Sequence, residues 1–583
     1  MKNIEEGAIE TQPDIYYYNF AGHSGKFLVK PDNTIFKKEK DLKAITFNNS
    51  FTIVDEEGIT YVFDEAETSV MTPSDDLGQS STLSYTYPSA WYLSSITSAA
   101  GDEVIQFEYH TNLSGAVQNG NRLNNRSVSY TYGVQSPNVF CAQSYNMGSI
   151  STLPPPEVLI YRKFLKKIIY KRANITVAFI DVLSATGQRQ DTEDTYARRL
   201  NQLKVYSTNN ATDKLIKQYN FTYGYFLNNA NLLNKSRLRL ESLQEIPVDG
   251  VTPAPPAHTF AYDNTPIPER FTASLDHWGF YNAAGNTSLV PNFYFAGRVV
   301  DNMYFQPRNV GEGANREPNL IGSTATVLNK MTYPTGGYTT FEYELNEAKF
   351  DDGQYHPVGG IRVKKITDYA FNGIAARAKT YTYLSDDGTG SGRSGLFPFY
   401  ETTSSYHAYF IPYELPNENP EPCKIHNEND EHFLYTINVS ANSIFSLGSF
   451  QGSHLGYTQV TESQIDLVNN QTLGKTVYNY SFNGTFTNDE NIENGDLVRQ
   501  RVYRNDGKLL QETSNTFITT TGEILNSVLV KPQQEQTNKN TTVKALPTCI
   551  IPMGFGNHPC RLRGIQDHAY SPFSRNIFFL STK

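Results

Sequence analysis

The sequence predicts an all-β protein built from consecutive antiparallel β-hairpins. Residues 93–109 and 328–343 share one plan: an aliphatic pair, a turn that contains glycine, and an alternating segment that ends in Phe-Glu-Tyr. The 583-residue chain has 39 Tyr, 34 Phe, 40 Gly and 29 Pro against 2 Trp and 6 Met, which is typical of short aromatic strands joined by tight turns. A recurring hairpin indicates a repeat architecture, in which each unit buries its face against its neighbours.

Alternation of apolar and polar residues predicts the strands in order along the chain. The first half is predicted to contain strands at 15–20, 26–29, 34–36, 51–54, 59–63, 203–206 and 215–223. The second half is predicted to contain hairpin units at 359–366, 379–383, 476–482 and 502–510. The last unit holds Asp506-Gly507, a strong hairpin signal. The best helical spacing lies in 191–203, which is either one helical turn or a loop.

Charge and cysteine content exclude several classes of protein. The chain has 49 basic and 59 acidic residues, a net charge of −10, and no basic stripe interleaved with aromatic residues, so nucleic acid is not an expected partner. No apolar run of about 18 residues is present, so no membrane span is expected. Four cysteines without a CxxC pair do not form a disulfide framework.

The repeats predict which residues anchor the hairpins. Period-two alternation places Phe and Tyr of each Phe-Glu-Tyr on one face of the strand and Glu108 or Glu342 on the other. The glycine pairs are expected in turns or bulges, and Trp278 is expected to anchor a packed turn. The predicted structural anchors are Phe107, Tyr109, Trp278, Phe341, Tyr343, Gly336, Gly337, Gly359 and Gly360.

Three acidic patterns admit a chemical interpretation beside a structural one. Asp276-His277 places a carboxylate next to an imidazole, but adjacent residues on a strand point to opposite faces, which favours a packed turn. Glu108 and Glu342 occupy equivalent repeat positions, and a solvated strand face is favoured over a glycosidase pair. Asp351-Asp352-Gly353 and Asp386-Asp387-Gly388 have fewer ligands than an EF-hand loop, although loop carboxylates can bind calcium.

The C-terminal part of the sequence departs from the hairpin pattern. Residues 532–545 are predicted as a polar linker, and residues 546–583 as an atypical tail. The open edges of the sheet are expected either to be capped by the non-repeat ends, residues 1–12 and 546–583, or to cause self-association. The tail contains Cys549, His558, Cys560 and His568, which are zinc-ligand types in a spacing that common zinc modules do not use. An irregular tail with unpaired thiols is favoured, and no metal or other cofactor is expected.

Several of these segments occur in an order that resembles the Rhs/YD-repeat proteins of bacteria. The resemblance is carried by 328–343, then 358–366 and 379–383, with upstream similarity at 13–20, 24–27 and 276–282. It covers about residues 11–530. It divides the chain into an upstream hairpin region, 1–270, and a YD-like hairpin region, 271–531.

The resemblance implies a fold and a role. Rhs/YD proteins, like the related teneurins and toxin-complex shells, wind β-hairpins into a hollow spiral β-shell, which in polymorphic toxins encloses a C-terminal effector. The implied function is a non-catalytic shell or carrier for an effector or toxin domain, or for a neighbouring polypeptide of the same system. The implied location is secreted or at the cell surface, with the export signal outside this chain.

Two features limit what the resemblance implies. No Rhs core signature, self-cleaving aspartate site or toxin domain is recognisable, so we expect a segment or a truncated relative of a longer protein. The alternative function is a cell-surface binding module that recognises a glycan or a protein through exposed aromatic rings. An enzyme is the least favoured class, because no nucleophile elbow, metal signature or phosphate loop is present.

Overall fold

Nearly every regular element of the described chain is a β-strand, as the sequence predicts. The computed structural model describes residues 15–29, 33, 35–37, 42–72, 84–111, 116–118, 126–135, 145–152, 157–183, 189, 191–192, 194, 196–209, 212–227, 236–300, 303–350, 352–395, 397–411, 431–443, 453–469, 471–482, 494–517, 520–521, 561–567 and 581–582. Within these residues no helix is long and apolar enough to cross a membrane.

The strands are numbered in chain order. The first half contains β1 (Ile15–Phe20), β2 (His23–Val29), β3 (Ile35–Lys37), β4 (Leu42–Phe47), β5 (Phe51–Asp55), β6 (Thr60–Thr72), β7 (Tyr85–Thr97), β8 (Val104–Thr111), β9 (Ala116–Gln118), β10 (Arg126–Gln135), β11 (Tyr145–Thr152), β12 (Glu157–Tyr161), β13 (Lys163–Tyr170), β14 (Ile175–Leu183), β15 (Arg198–Asn209), β16 (Thr212–Leu227), β17 (Ser236–Ile246) and β18 (His258–Tyr262).

The second half contains the short helix α1 (Leu320–Thr324), together with β19 (Phe293–Phe295), β20 (Arg298–Val300), β21 (Met303–Phe305), β22 (Arg308–Val310), β23 (Leu328–Thr332), β24 (Tyr338–Lys349), β25 (Tyr355–Tyr369), β26 (Ala375–Thr382), β27 (Gly392–Ser394), β28 (Glu401–Ile411), β29 (Glu431–Ser440), β30 (Leu455–Tyr457), β31 (Gln459–Asp466), β32 (Gln471–Tyr480), β33 (Leu497–Tyr503), β34 (Leu509–Ser514), β35 (Thr520–Thr521), β36 (Arg561–Asp567) and β37 (Ser581–Thr582).

One long antiparallel sheet, called the ribbon below, runs through most of the chain. Its strands pair in the order β4-β5-β6-β7-β8-β13-β14-β15-β16-β17-β18-β23-β24-β25-β26-β31-β32-β33-β34. Among the described residues no register joins β34 to β4, so the ribbon is open and is not a closed barrel. The ribbon continues across the predicted boundary at 270/271, because β18 pairs directly with β23.

Three inserts leave the sheet to which the ribbon belongs and return to it. Insert 1 (119–156) lies between β9 and β12, insert 2 (263–327) between β18 and β23, and insert 3 (395–454) between β27 and β30. In each case the flanking strands pair with each other, so the insert projects from the sheet without interrupting it. Inserts 1 and 3 together form a second sheet in the order β11-β10-β29-β28, and the tail adds β36 beside β28.

Seven hairpin turns of the described residues share one five-residue pattern. The first residue donates its N–H to the carbonyl of the fifth, and the fourth residue, a glycine, donates its N–H to the carbonyl of the first, at 2.8–3.2 Å. These glycines have φ between 78° and 90°, which favours glycine because a Cβ is strained there. The turns are 55–59, 276–280, 333–337, 350–354, 370–374, 385–389 and 504–508. The Gly336-Gly337 and Asp506-Gly507 turns are two of the predicted ones.

A tyrosine hydroxyl fastens the ribbon at four equivalent points, each 2.7 Å from a carbonyl oxygen. Tyr109 donates to Leu93, Tyr262 to Leu240, Tyr343 to Leu328 and Tyr383 to Val363. Each acceptor residue immediately precedes a β-bulge in the pairing with the preceding strand. This Tyr–carbonyl clamp therefore recurs from 93–109 to 328–343, as the internal repeat predicts.

The segment 191–203 is neither a helical turn nor a loop throughout. Ala197 donates its N–H to the carbonyl of Asp194 in a tight turn, and β15 begins at Arg198. The helical spacing of Ala197, Leu200 and Leu203 is overridden because β15 pairs along its length with β14 and β16. The one helix of the described chain, α1, lies in insert 2 and was not predicted; Asn319 caps it by accepting the N–H of Gly322.

Candidate functional site

The three inserts meet in one buried region, called the junction below. Its apolar core consists of Tyr130 from insert 1, Ala273, Leu289, Val290, Phe295 and Val310 from insert 2, and Tyr400, Tyr435, Ile437, Val439 and Ala441 from insert 3. Strand β29 supplies its inward residues at period two, with Ile437 and Val439 fully buried. The junction therefore joins segments that are far apart in sequence.

Arg316 links two of these inserts at the centre of the junction. Its guanidinium donates to the carbonyl oxygens of Asp276 at 2.8 Å, Leu289 at 2.7 Å and Ala441 at 2.9 Å. Its side chain lies 5.5 Å from the centre of the Tyr400 ring. Burial lowers the pKa of the guanidinium, and four hydrogen bonds to carbonyls compensate for its lost hydration. Arg316 thus holds the backbone of insert 2 against that of insert 3.

A second basic residue links insert 1 to insert 2. Arg126 on β10 forms an ion pair with Glu312, with its Nε 2.6 Å from Oε2, and Ser288 also donates to Glu312. Arg308 lies over the ring of Tyr130, 3.8 Å from its centre. The Arg126 guanidinium beside Glu312 lowers the pKa of that carboxyl, so the pair stays charged at neutral pH.

Asp276 is fully buried in the turn 276–280. Its Oδ1 accepts the N–H groups of Trp278 at 2.9 Å and Phe280 at 3.0 Å, whereas its Oδ2 has no hydrogen-bond partner. Burial raises the pKa of the carboxyl to about 6, against the opposing effects of these N–H groups and of Arg316. The packed turn favoured from the sequence is therefore present, and its carboxylate caps the turn.

His277 lies between a buried phenol and a carboxylate. Its Nδ1 is 2.7 Å from the hydroxyl oxygen of Tyr400, and its Nε2 is 3.7 Å from Oε1 of Glu317. The imidazole beside Glu317 lowers the pKa of that carboxyl, and burial raises the pKa of Tyr400 to about 12. A phenol with this pKa stays protonated at neutral pH and is a poor nucleophile. The row of groups resembles an acid–base relay that runs from the exposed carboxylate of Glu317 to the buried hydroxyl of Tyr400.

Trp278 and the Gly359-Gly360 pair meet at the edge of the junction. A Cβ on Gly359 would lie 2.9 Å from the Cβ of Trp278 and 2.8 Å from Oδ2 of Asp276, so only glycine fits there. Nε2 of His454 lies 2.8 Å from the carbonyl oxygen of Gly359, and its ring lies 5.8 Å from that of Trp278. Two predicted anchors distant in sequence thus form one contact, and this contact attaches insert 2 to β25 of the ribbon.

The remaining predicted anchors lie in the two repeated hairpins. Glu108 and Glu342 are exposed, while Phe107, Tyr109, Phe341 and Tyr343 are half-buried. The predicted alternation of faces is present, but neither phenylalanine is fully buried. Gly336 and Gly337 form the turn between β23 and β24.

The structure also bears on the carboxylate pair, the calcium loops and the metal-ligand types that the sequence contains. Glu108 faces Lys167 and Glu342 faces Lys365 in the sheet, on strands β8 and β24 that seven ribbon strands separate, so the two acids are not a catalytic pair. Asp352 and Asp387 accept the N–H groups of Gln354 and Thr389 and cap their own turns. No cluster of three metal-ligating side chains occurs in the described residues. Cys549, His558, Cys560 and His568 lie outside them.

Sequence reasoning missed Arg316, Tyr400 and Glu317 as members of one site. No spacing rule connects them to Asp276-His277, because they are brought together by the return of inserts 2 and 3 to the ribbon. The one local signal was the Asp-x-x-Gly pattern of 276–279, which matches Asp55-Glu-Glu-Gly58. Both aspartates accept the N–H groups of the third and fifth residues of their turns.

Comparison with known proteins gives a distant similarity in structure alone. No protein family and no curated protein matches the chain in sequence. A chain in the crystal structure of TcdB2-TccC3 is similar over 85% of this chain, with 8% identical residues and a TM-score of 0.24. This chain spans 33%, about a third, of that chain. At such a TM-score the similarity carries no argument about function.

Proposed function

We propose that the chain is a non-catalytic wall segment of a β-shell of the Rhs/YD-repeat type, which scaffolds or encloses another polypeptide. The observation that carries the proposal is the ribbon: one antiparallel sheet from β4 to β34 whose faces are mostly half-buried. Strands β13, β17, β23 and β33 contain a single fully buried residue between them, Ser236. A sheet of this kind encloses space rather than filling it.

A spiral winding of the ribbon is part of the proposal. Two side pairings support it, since β12 pairs with β6 as well as with β9, and β24 pairs with β27 as well as with β25. Contacts of this kind bring later strands back beside earlier ones and reduce the number of free edges. The enclosed partner would be an effector domain or a neighbouring polypeptide, in a secreted or surface-bound assembly.

The lack of catalysis rests on the chemistry of the junction. Three of its titratable groups, Asp276, Arg316 and Tyr400, are buried. With the half-buried His277 they bind mainly to backbone groups and to one another, and only Glu317 of this row is exposed. Buried groups that satisfy backbone donors and acceptors stabilise a connection between segments. We therefore assign the junction the role of a structural plug that fixes the three inserts on one part of the wall.

Recognition of a glycan or protein by exposed aromatic rings is the second candidate. Tyr17, Tyr294 and Phe371 are the most exposed aromatic side chains of the described chain, at 67%, 63% and 79%. They belong to β1, β19 and the turn 370–374, which lie in three different sheets. A binding platform needs rings gathered on one surface, so this candidate is less favoured than the wall.

The test combines a protection assay with an activity screen. The full chain is purified with the polypeptide encoded beside it, and we expect that polypeptide to survive protease concentrations that degrade it alone. A panel of polysaccharides, peptides and esters should show no turnover above that of a heat-denatured sample. Two outcomes would reject the proposal that the chain is a non-catalytic wall segment. One is equal digestion of the partner with and without the chain, and the other is turnover that Glu317→Gln abolishes.

A further inference from the structure

The two ends of the ribbon are built differently. At the β4 end, strands β1 to β3 cover the sheet with an aromatic cluster, in which Leu42 and Phe51 are 1% and 4% exposed. At the other end all six residues of β34 are exposed, including Leu509 and Leu510. Among the described residues no strand pairs with the outer side of β34. An uncovered edge of this kind is a template for strand addition.

From this difference we infer that β34 is a docking edge for an antiparallel strand of a second polypeptide, a partner with apolar residues facing Leu509 and Leu510 and a lysine or arginine facing Glu512. The inference rests on the proposed function, because a strand added to β34 would extend the wall beyond the last strand of the ribbon. Main-chain hydrogen bonds would supply the affinity, and the side chains facing the edge would supply the selectivity.

The β25–β26 hairpin is a second hairpin of the same kind, and its outer edge is occupied by strand β31. Its turn, 370–374, has the same hydrogen bonds as the turn 504–508 of the β33–β34 hairpin. In both hairpins a bulge follows the first residue pair after the turn. In the β25–β26 hairpin Tyr369 pairs with Ala375, and Ala376 is left unpaired in the bulge. In the β33–β34 hairpin Tyr503 pairs with Leu509, and Leu510 is left unpaired in the bulge. The two hairpins are therefore equivalent up to the outer edge of their second strand.

The two hairpins differ at that edge. Strand β26 is covered by β31 from Arg377 to Thr382, and Leu467 donates its N–H to the carbonyl of Ala376 at 2.9 Å. The carbonyl of Leu510 occupies the equivalent position on β34. Ala378, which pairs with Ile465 of β31, corresponds to Glu512, which is why the occupant of β34 should carry a cation where β31 carries Ile465.

The proposal is tested on the full chain with labelled peptides copied from residues 458–467, which contain β31. One peptide carries Ile465→Lys and a second carries Ile465→Glu. A third adds prolines at Glu462 and Ser463 to the lysine peptide, which removes two adjacent backbone donors. We expect saturable binding of the lysine peptide in fluorescence anisotropy, at least fivefold weaker binding of the glutamate peptide, and loss of binding of the proline peptide.

A charge reversal locates the binding on β34. The variant Glu512→Lys should prefer the glutamate peptide over the lysine peptide, whereas Glu108→Lys, an exposed glutamate on the interior strand β8, should keep the original preference. Absence of saturable binding, or a preference that Glu512→Lys leaves unchanged, overturns the proposal. A concentration-dependent dimer in sedimentation that Leu510→Lys dissolves also overturns it, because the occupant is then a second copy.

This test can fail separately from the test of the wall. If the partner polypeptide is protected from protease but no peptide binds, the wall stands and the continuation does not use β34. If the peptides bind with the expected charge preference but the partner is not protected, the docking edge stands and the enclosing role is rejected.

Discussion

The ribbon and the junction use opposite means to hold the same chain together. The ribbon repeats small local devices, a five-residue glycine turn and a Tyr–carbonyl clamp, and leaves most side chains half-exposed. The junction is a single buried assembly, in which Arg316 and the apolar residues of three inserts depend on one another. Losing one device should weaken the ribbon locally, whereas losing one member of the junction should release whole inserts.

The largest effect is expected from Arg316→Met. The change removes four hydrogen bonds and leaves the carbonyls of Asp276, Leu289 and Ala441 buried without their donor, which should cost about 3–5 kcal/mol of unfolding free energy. Urea denaturation measures the cost, and hydrogen exchange should rise first at 288–291 and 436–441. The control Arg377→Met removes an exposed ion pair with Asp368 and should cost under about 1 kcal/mol. Equal effects of the two changes would contradict the comparison.

The next effect is a pH dependence that Asp276 gives the junction. Because the pKa of Asp276 in the folded state, about 6, lies above its unfolded value, the folded state holds the proton more tightly. This contribution to stability is fully present below about pH 4 and is lost as the pH rises through about 6, with a total of about 2–3 kcal/mol. Denaturation midpoints of the wild type and Asp276→Asn across this range measure it.

Asp276→Asn should flatten that part of the profile, because the amide oxygen still accepts the N–H groups of Trp278 and Phe280 without a titrating charge. Asp55→Asn is the matched control in the equivalent turn 55–59. There Oδ2 accepts the hydroxyl of Tyr61 at 3.0 Å, so the change should cost about 1 kcal/mol near neutral pH. A wild-type profile that is unchanged by Asp276→Asn would show that the carboxyl does not carry the dependence.

A smaller, local cost is expected at the turns of the ribbon. Gly388 has φ of 81° and open space around the position of a Cβ, so Gly388→Ala tests backbone strain without a steric clash. We expect a loss of about 1–2 kcal/mol. Gly388→Asn should cost less, because asparagine tolerates this conformation better than alanine. Thermal denaturation ranks the two variants, and the reverse order would show that strain does not set the cost.

The smallest effect is expected at the Tyr–carbonyl clamp. Tyr343→Phe removes the hydroxyl that donates to Leu328 while keeping the ring, and should cost about 1 kcal/mol. Tyr338→Phe, on the same strand, should cost less, because its ring packs on Tyr369 while its hydroxyl makes no hydrogen bond to the described residues. If both changes cost the same in urea denaturation, the clamp contributes nothing beyond ring packing.

The sequence by itself determined the local features of the ribbon, namely its strand alternation and its glycine hairpin turns. Alternation placed Glu108 and Glu342 on the exposed face, and the repeated Phe-Glu-Tyr and glycine turns marked hairpins at 93–109 and 328–343. These features depend on residues within about twenty positions of one another, and local backbone preferences and strand periodicity act over that range. The Asp-Gly sequences at 352–353 and 387–388 lie in turns of the same kind, in which Asp352 and Asp387 accept backbone N–H groups.

Only the tertiary structure decided the junction and the two ends of the ribbon. Arg316 meets Ala441 because β18 pairs with β23 and β27 with β30, which returns inserts 2 and 3 to one place. The interpretation of 191–203 as a helical turn or a loop fits the tight turn between Asp194 and Ala197 but was wrong from Arg198 onward, since β14 and β16 on either side pair with this part of the segment in β15. Long-range pairing fixes these outcomes, and hydrophobic spacing along one segment carries no information about which distant strand will lie beside it.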